Sequence, residues 1–205
     1  MSPRGRRRLL GVLLAVATGA AVAVWWPEPR PMADRWLVVT SFGAVPARDL
    51  AFVARDLRAF FGTPTRREPA QSPPPGAWHA QRRQYDGGRL VDALNARPWL
   101  VGERVIALCD ADGMRPDLNF VLGIAALRGR CAVVFLPRLR EHADRARYER
   151  RLSVTARHEI GHVYGLNHCP DVRCAMAFSN SVAESDTKGL GFCERCTRRL
   201  RRLRL

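Results

Sequence analysis

The chain has 205 residues, and its 34 Lys and Arg against 19 Asp and Glu give a formal net charge of +15 at pH 7. The length excludes two full-sized domains, because roughly 175 residues remain once an amino-terminal segment is set apart. The charge does not indicate a nucleic-acid-binding protein, because ten arginines lie at the chain ends and only +5 belongs to the part between. Those arginines are Arg4, Arg6, Arg7, Arg8, Arg195, Arg198, Arg199, Arg201, Arg202 and Arg204.

The amino-terminal residues have the pattern of a membrane-targeting segment. Basic residues up to Arg8 precede an uncharged run of 18 residues, Leu9–Trp26, which Pro27 ends. The two tryptophans that close the run favour an uncleaved signal anchor, whereas a cleaved signal peptide would use the small residues at 21–23. Because the basic flank is expected to stay in the cytoplasm, either use predicts a membrane-anchored or exported protein on the non-cytoplasmic side.

Residues 6–10 also fit a twin-arginine export signal, a match that many arginine-rich segments produce. This route would carry an already folded and metallated domain across the membrane. It would therefore protect metal-binding cysteines from oxidation to disulfides. Twin-arginine export and general export both stay open at this point.

Between residues 32 and 164 the chain alternates strand-like and helix-like stretches. Short apolar runs predict buried strands, and apolar residues at helical spacing predict helices, the first of which ends at Gly62. The predicted strands are 36–40, 104–109 and 131–136, and the predicted helices are 46–61, 86–96 and one from about 143 or 145 to 164. The proline-rich stretch 63–76 is predicted to be irregular, with at most a short strand. Helices packed on a mixed sheet make an α+β fold of the α/β sandwich type.

The run His158–His168 contains three histidines and a glutamate at the spacing of a zinc site. His158 and His162 are four residues apart, so on a helix both imidazoles project from one face and can share a metal. Glu159 would stand beside that metal, where its carboxylate can take a proton from a zinc-bound water. His168 requires a bend, which Gly165 permits because glycine reaches left-handed backbone angles at little cost. Three protein ligands leave one position open, which is typical of a catalytic zinc.

Four cysteines follow the third histidine in two closely spaced pairs. The C-x4-C and C-x2-C spacings can gather four thiolates around one tetrahedral ion, and they predict a second, structural zinc. These residues are Cys169, Cys174, Cys193 and Cys196. The remaining Cys109 and Cys131 fall in two predicted strands, where a disulfide is one alternative and a pair of buried apolar thiols is favoured.

Residues 158–196 resemble the archaemetzincin family of zinc metallopeptidases, which joins H-E-x-x-H-x-x-G-x-x-H-C-x4-C-x-M to a later C-x-x-C. The methionine of this pattern is Met176, at the place where a metzincin has its Met-turn under the catalytic zinc. The similarity covers most of 36–196 and includes Asp117–Gly123, Cys131–Val134, Arg138, Leu139, Phe178–Ser181 and Asp186. The 16 residues between Met176 and Cys193 are slightly fewer than is usual in the family.

The resemblance implies a metzincin-like zincin catalytic domain with a mixed sheet, a long active-site helix and a four-cysteine zinc subsite. It implies two zinc ions, a catalytic one bound by the three histidines and a structural one bound by the four cysteines. Glu159 would be the general base, and Met176 would support the site. The protein would act on a peptide or protein substrate, either as an aminopeptidase or as a peptidase of narrow specificity. The alternative is an inactive, zinc-stabilised binding module whose basic tail contacts nucleic acid or anionic lipid, but an intact Glu159 argues against it.

The sequence divides into three parts. Residues 1–31 are predicted to be a signal anchor or signal peptide with a proline-rich linker, 32–197 the metallopeptidase domain, and 198–205 a basic tail. Leu200 and Leu203 among the arginines of this tail indicate a short basic helix, which either contacts anionic lipid or is solvated. Nucleic acid is not an expected partner. The sequence does not indicate whether the protein is a monomer or an oligomer.

Overall fold

The computed structural model describes residues 35–204. The segment 9–26 lies outside the described residues, together with the predicted signal anchor, cleavage site and export signal. The predicted membrane-anchored or exported protein has no support in the structure: no helix between residues 35 and 204 is long and apolar enough to cross a membrane.

Nine strands and six helices make up the described part of the chain. In chain order they are β1 (Trp36–Phe42), α1 (Ala47–Phe61), β2 (Thr65–Arg67), β3 (Trp78–His79), β4 (Gln84–Asp86), α2 (Gly87–Asn95), β5 (Glu103–Cys109), β6 (Asp112–Arg115), β7 (Leu118–Val121), β8 (Gly123–Ala125), β9 (Cys131–Phe135), α3 (Pro137–Arg140), α4 (Arg145–Val163), α5 (Val182–Thr187) and α6 (Glu194–Leu203). The three predicted strands are β1, β5 and β9, and the three predicted helices are α1, α2 and α4. Gly62 ends α1 as predicted, with a φ of 67° and an N–H that donates to the Arg58 carbonyl.

The larger sheet has five strands in the order β2-β1-β5-β9-β8. Its first four strands are parallel, and β8 runs antiparallel to β9 at one edge. Strands β1, β5 and β9 are buried along almost their whole length. Parallel strands covered on both faces are near-continuous apolar runs, which is why these three were recognisable. A smaller sheet has the order β3-β4-β6-β7.

Helices cover both faces of the larger sheet. Leu37 and Val39 of β1 pack in the core formed with α1 and α4, whereas Val38 packs in the core formed with α2. This separation follows from the alternation of side chains along a strand. Helix α4 contributes Leu152 and Ile160 to its core, and it lies against β8 and β9. The prediction of an α/β sandwich with a mixed sheet is confirmed.

Cys109 and Cys131 occupy neighbouring parallel strands but not facing positions. The register pairs Cys109 with Phe135 and Cys131 with Val105. Both thiols are buried and free, and burial raises the pKa of Cys109 to about 11. The favoured interpretation of two buried thiols is confirmed, and the disulfide alternative is wrong because the register keeps the two residues apart.

The basic carboxyl-terminal run forms part of helix α6, which crosses the predicted boundary between residues 197 and 198. Leu200 is buried, and Leu203 packs against the same core. Arg204 donates to the Phe61 carbonyl at 2.7 Å and to Thr63 Oγ1 at 2.8 Å. The predicted basic helix is confirmed, and its apolar side docks on the rest of the fold.

Candidate active site and cysteine cluster

Helix α4 carries the first two histidines and ends just after the second. Asp144 caps its amino end by accepting a hydrogen bond from the Arg147 N–H. Beyond the carboxyl end, Gly165 has a φ of +96°, a left-handed value that favours glycine. The Gly165 N–H donates to the His162 carbonyl at 2.8 Å. The predicted bend is therefore present at the predicted residue.

The imidazoles of the three histidines converge beyond this bend. One nitrogen from each of His158, His162 and His168 lies within 4.8 Å of the others. Nδ1 of His158 is 2.8 Å from the Ala175 carbonyl, and Nδ1 of His162 is 2.7 Å from the Leu166 carbonyl. Since a carbonyl only accepts, each Nδ1 donates a proton and each Nε2 keeps a lone pair.

Two of these lone pairs face each other. The Nε2 atoms of His158 and His162 are 2.9 Å apart, and burial lowers the pKa of both imidazoles, which keeps them neutral. Two neutral acceptors at this distance repel each other unless they share a cation. Neutral imidazole nitrogen is a common zinc ligand. The arrangement therefore fits a metal ion that these histidines could hold.

Glu159 is buried beside the histidines and is only 5% exposed. Burial raises the pKa of its carboxyl to about 8, and the positive charge of Lys188 acts in the opposite direction. Gly123 of the edge strand β8 leaves room for this carboxylate, because a Cβ there would lie 2.6 Å from Glu159 Oε1. Sequence reasoning missed this role of Gly123, since no local pattern joins it to a residue on a distant helix.

A cleft of about 390 Å³ opens at these side chains. Strands β7 and β8 line it together with the three histidines, Glu159 and part of the segment 178–188. Within residues 35–204, Glu159 is the only carboxylate in the lining, and Arg115 and Lys188 are the only Arg or Lys. The charged side chains of the cleft are therefore one buried carboxylate, Glu159, and two cations, Arg115 and Lys188.

Lys188 is the cleft residue that sequence reasoning missed. It is 5% exposed, and its Nζ donates to the Ala177 carbonyl. Burial lowers the pKa of its ammonium group, and the charge of Glu159 opposes that shift. A signal was present in the composition, because Lys188 is the only lysine in the 205-residue sequence, against 33 arginines.

Met176 packs against the turn of α4 that separates the first two histidines. Its side chain is fully buried, and a side chain at Gly161 would overlap its sulfur. The preceding residue, Ala175, is the one whose carbonyl lies against His158. These contacts agree with the supporting role that the resemblance implies for Met176, and they add Gly161, which the sequence analysis did not single out.

The four cysteines form a second cluster. Their sulfur atoms lie within 4.8 Å of one another, and Cys169 Sγ is 3.7 Å from Cys193 Sγ. Sulfurs bound at about 2.3 Å to one tetrahedral zinc stand about 3.8 Å apart, so this spacing fits a zinc ion. The backbone N–H groups of Met176 and Cys193 donate to Cys174 Sγ at 3.4 and 3.2 Å. All four cysteines are free of disulfides.

Residues 174–177 connect the two clusters. The Cys169 N–H donates to the Met176 carbonyl, and the Ala177 N–H donates to the Cys174 carbonyl, at 2.8 and 2.9 Å. The same short segment holds His158 through the Ala175 carbonyl. A displacement of the cysteine loop would therefore reach the histidines directly.

Two arginines of α4 hold the segment that carries Lys188. Arg151 makes two hydrogen bonds of 2.7 Å to the Asp186 carboxylate, and Arg150 donates to the Lys188 carbonyl. The Arg151 hydrogen bonds hold the pKa of Asp186 below its usual range. The segment from α5 to Lys188 is thereby fixed against the active-site helix.

Three converging imidazoles beside a buried glutamate, with a methionine packed against the helix that carries two of them, are characteristic of zinc metallopeptidases. The model of peptidase family M54 matches residues 91–202, which is more than half of the chain. The chain belongs to this family. It is a zinc metallopeptidase, and its substrate is a peptide or protein.

The similarity to archaemetzincins extends from sequence to structure. The archaemetzincin of Methanopyrus kandleri is 43% identical over 131 residues, covering 63% of this chain and 73% of the relative. The archaemetzincin of Thermococcus kodakarensis is 40% identical over 137 residues, covering 62% of this chain and 71% of the relative. The crystal structure of the Methanopyrus kandleri archaemetzincin matches with a TM-score of 0.76 at 33% identity, covering 86% of this chain and 98% of that one. The crystal structure of the Archaeoglobus fulgidus archaemetzincin in complex with malonate matches with a TM-score of 0.72 at 31% identity, covering 80% of this chain and 98% of that one.

Proposed function

We propose that the protein hydrolyses peptide bonds with Glu159 as general base and with a zinc ion held by His158, His162 and His168. The observation that carries this proposal is the position of the Glu159 carboxylate, which is buried in the cleft that the three histidines also line. A zinc ion bound there would polarise the substrate carbonyl and lower the pKa of a water molecule.

Glu159 has the properties that the two proton transfers require. Burial raises the pKa of its carboxyl, which makes the carboxylate a stronger base, and the positive charge of a zinc ion bound nearby would act in the opposite direction. The carboxylate would take a proton from the attacking water and then give it to the leaving amine. The absence of a side chain at Gly123 supports this role, because it leaves Oε1 unobstructed.

We further propose a structural zinc at Cys169, Cys174, Cys193 and Cys196, which brings the total to two zinc ions per chain. Four thiolates leave no open coordination position, so this ion would stabilise the fold without joining the reaction. Met176 and Gly165 would support the catalytic site, one by packing under α4 and the other by turning the chain toward His168.

Aminopeptidase activity, the narrower sequence prediction, needs a group that binds the free α-ammonium of the substrate. Glu159 is the only carboxylate in the described lining of the cleft, and the proposed mechanism uses it for proton transfer. The proposed reaction is therefore hydrolysis of a peptide bond without a requirement for a free amino terminus.

The alternative of an inactive binding module is not favoured. The chain belongs to a peptidase family, and a module would have no need of Glu159. In addition, Leu200 of α6 and Arg204, which follows that helix, make contacts within the fold.

Replacement of Glu159 by Gln tests the mechanism. The amide keeps the size of the side chain but cannot accept the proton, so we expect kcat to fall on the order of 10²- to 10⁴-fold with zinc content unchanged. The assay would use peptides with free and with acetylated amino termini, and Glu141→Gln, at an exposed glutamate, is the matched control. Undiminished turnover by zinc-loaded Glu159→Gln would disprove the role of Glu159, and a strict need for a free amino terminus would establish an aminopeptidase instead.

A further inference from the structure

Lys188 is a buried cation in the cleft that makes little use of its hydrogen-bonding capacity. An ammonium group has three N–H donors, and Nζ donates one to the Ala177 carbonyl. Among residues 35–204, no carboxylate lies within ion-pair distance of Nζ, and the charge of Glu159 acts on it only from farther away. Burying an unpaired charge costs free energy unless another group compensates it. The cleft therefore holds a cation with donors to spare.

The position of this ammonium group is built into the fold. Arg150 holds the Lys188 carbonyl, and Arg151 holds Asp186 two residues earlier. The Lys188 N–H also donates to the Ser185 carbonyl at 3.4 Å. A flexible surface lysine would have no such anchors, so the backbone brings Lys188 to the cleft in a defined place.

The composition of the chain separates Lys188 from every other basic residue. All 33 other basic residues are arginines, and the single lysine lies in the active-site cleft. Arginine pairs better with carboxylates at surfaces and interfaces, whereas lysine places a compact charge on a flexible stem.

A second donor lies in the same wall of the cleft. The Oγ atom of Ser179 is buried and has no hydrogen-bond partner among the described residues, and Ser179 lines the cleft with Lys188. The other cation of the lining, Arg115, faces the exposed Asp117 at 3.6 Å. Lys188 thus has N–H donors left over beside the one that Ala177 accepts, and Ser179 Oγ has no partner among the described residues, so an anionic acceptor from outside would satisfy both.

We propose that Lys188, assisted by Ser179, binds a carboxylate group of the substrate. The carboxylate is either an Asp or Glu side chain near the scissile bond or the free carboxyl terminus of a short peptide. This inference rests on the proposed function, because it assigns a substrate group to the same cleft.

The first experiment compares matched peptides on the zinc-loaded enzyme. One arm pairs Asp with Asn and Glu with Gln at each position around the cleavage site, and the other pairs a free carboxyl terminus with its amide. Charge-assisted hydrogen bonds contribute enough for a preference on the order of 10- to 100-fold in kcat/KM for the carboxylate member of one arm. The arm that shows this preference identifies whether the carboxylate is a side chain or the carboxyl terminus. Equal rates in every pair would overturn the proposal.

The Lys188→Met variant keeps the apolar stem and removes the charge. We expect the preference ratio within the matched pairs to fall to about one. A purely structural role for Lys188 would lower both members of each pair equally and leave the ratio unchanged. That outcome would contradict carboxylate binding even if the overall activity of the variant falls.

A binding experiment makes the test independent of hydrolysis. Protein labelled with ¹⁵N-lysine has one Nζ resonance, because Lys188 is the only lysine. The zinc-loaded protein is titrated with succinate and, separately, with its monoamide. Each ligand has one carboxylate that can bind the metal, but only succinate has a second carboxylate for Lys188. We expect succinate alone to shift the Nζ resonance and to bind at least about tenfold more tightly. If succinate binds in this way but the protein cleaves no peptide, the inference about Lys188 holds and the proposed function is rejected. If the protein cleaves peptides but binds both ligands equally, only the inference about Lys188 is rejected.

Discussion

Gly123 leaves the space that the Glu159 carboxylate occupies, and this predicts the effect of the smallest possible substitution. In Gly123→Ala, the new Cβ would stand 2.6 Å from Oε1, and the flexible Glu159 side chain would move rather than the strand. Misplacing a catalytic group by about 1 Å costs on the order of 100-fold in rate. We expect kcat to fall by roughly that factor while zinc content and the unfolding temperature change little.

The control for this prediction is Gly191→Ala, because a Cβ at Gly191 would meet no atom within 4 Å. Its steady-state kinetics and metal content should equal those of the unmodified enzyme. If Gly123→Ala also kept full activity, Glu159 would not need the position that it has in the structure.

The sequence predicted the residues of the site whose relation is local. His158, Glu159 and His162 follow from helical spacing, and Gly165 follows from the need for a bend, since both rules act within a few residues. Gly123 and Lys188 could not be predicted in this way, because they reach Glu159 from a strand and a loop that only the tertiary fold brings together. Composition alone could have nominated the single lysine.

At the scale of elements, the pair Arg151–Asp186 joins α5 to α4, and its loss predicts a pH-dependent change in stability. Arg151 is 5% exposed and its two hydrogen bonds to Asp186 are 2.7 Å long. In Asp186→Asn the buried guanidinium loses its anionic partner. We expect the free energy of unfolding to fall by about 2 kcal/mol at pH 7, measured by urea denaturation.

The pH dependence has a defined sign. The pKa of Asp186 is held below its usual 3.8 in the folded protein, so the pair stabilises the fold above that pH and ceases to do so as the pH falls through the lower folded-state pKa. The difference between the original protein and Asp186→Asn should therefore shrink under acid conditions. Asp117→Asn, at an exposed pair with Arg115, should change stability by less than about 0.5 kcal/mol throughout. A pH-independent difference for Asp186→Asn would exclude the ion pair as its cause.

The elements that the sequence predicted are those whose own pattern reflects their burial. Strands β5 and β9 are apolar runs covered by helices on both faces, and α1 has the spacing of an amphipathic helix with a glycine after it. Strands β3, β4 and β6 have two to four residues and include Gln84 and Asp112. Their pairing depends on partners elsewhere in the chain, such as the hydrogen bond of 2.8 Å between these two side chains, so no local pattern marks them.

For the molecule as a whole, arginine supplies the basic partner of the ion pairs that join distant elements. Arg66 pairs with Glu103, Arg138 with Asp112, and Arg157 with Asp56, and each pair joins distant parts of the chain. These pairs use part of the positive charge of the described region for contacts within the fold. The sole lysine differs from them because it faces the cleft instead of a carboxylate.

The three-histidine cluster and the four-cysteine cluster should act as one unit, because residues 174–177 contact both of them. Cys193→Ser removes one thiolate, so we expect zinc content to fall from about two ions per chain to one and the free energy of unfolding to fall by more than about 3 kcal/mol. Since Cys169 follows His168 and the Ala175 carbonyl holds His158, zinc affinity at the histidines should also weaken, by about 10- to 100-fold. Metal analysis, urea denaturation and competition with a chelator measure these effects, with Cys109→Ala as the control thiol outside the cluster. Two zinc ions retained in Cys193→Ser, or histidine-site affinity equal to that of the control, would show that the clusters are independent.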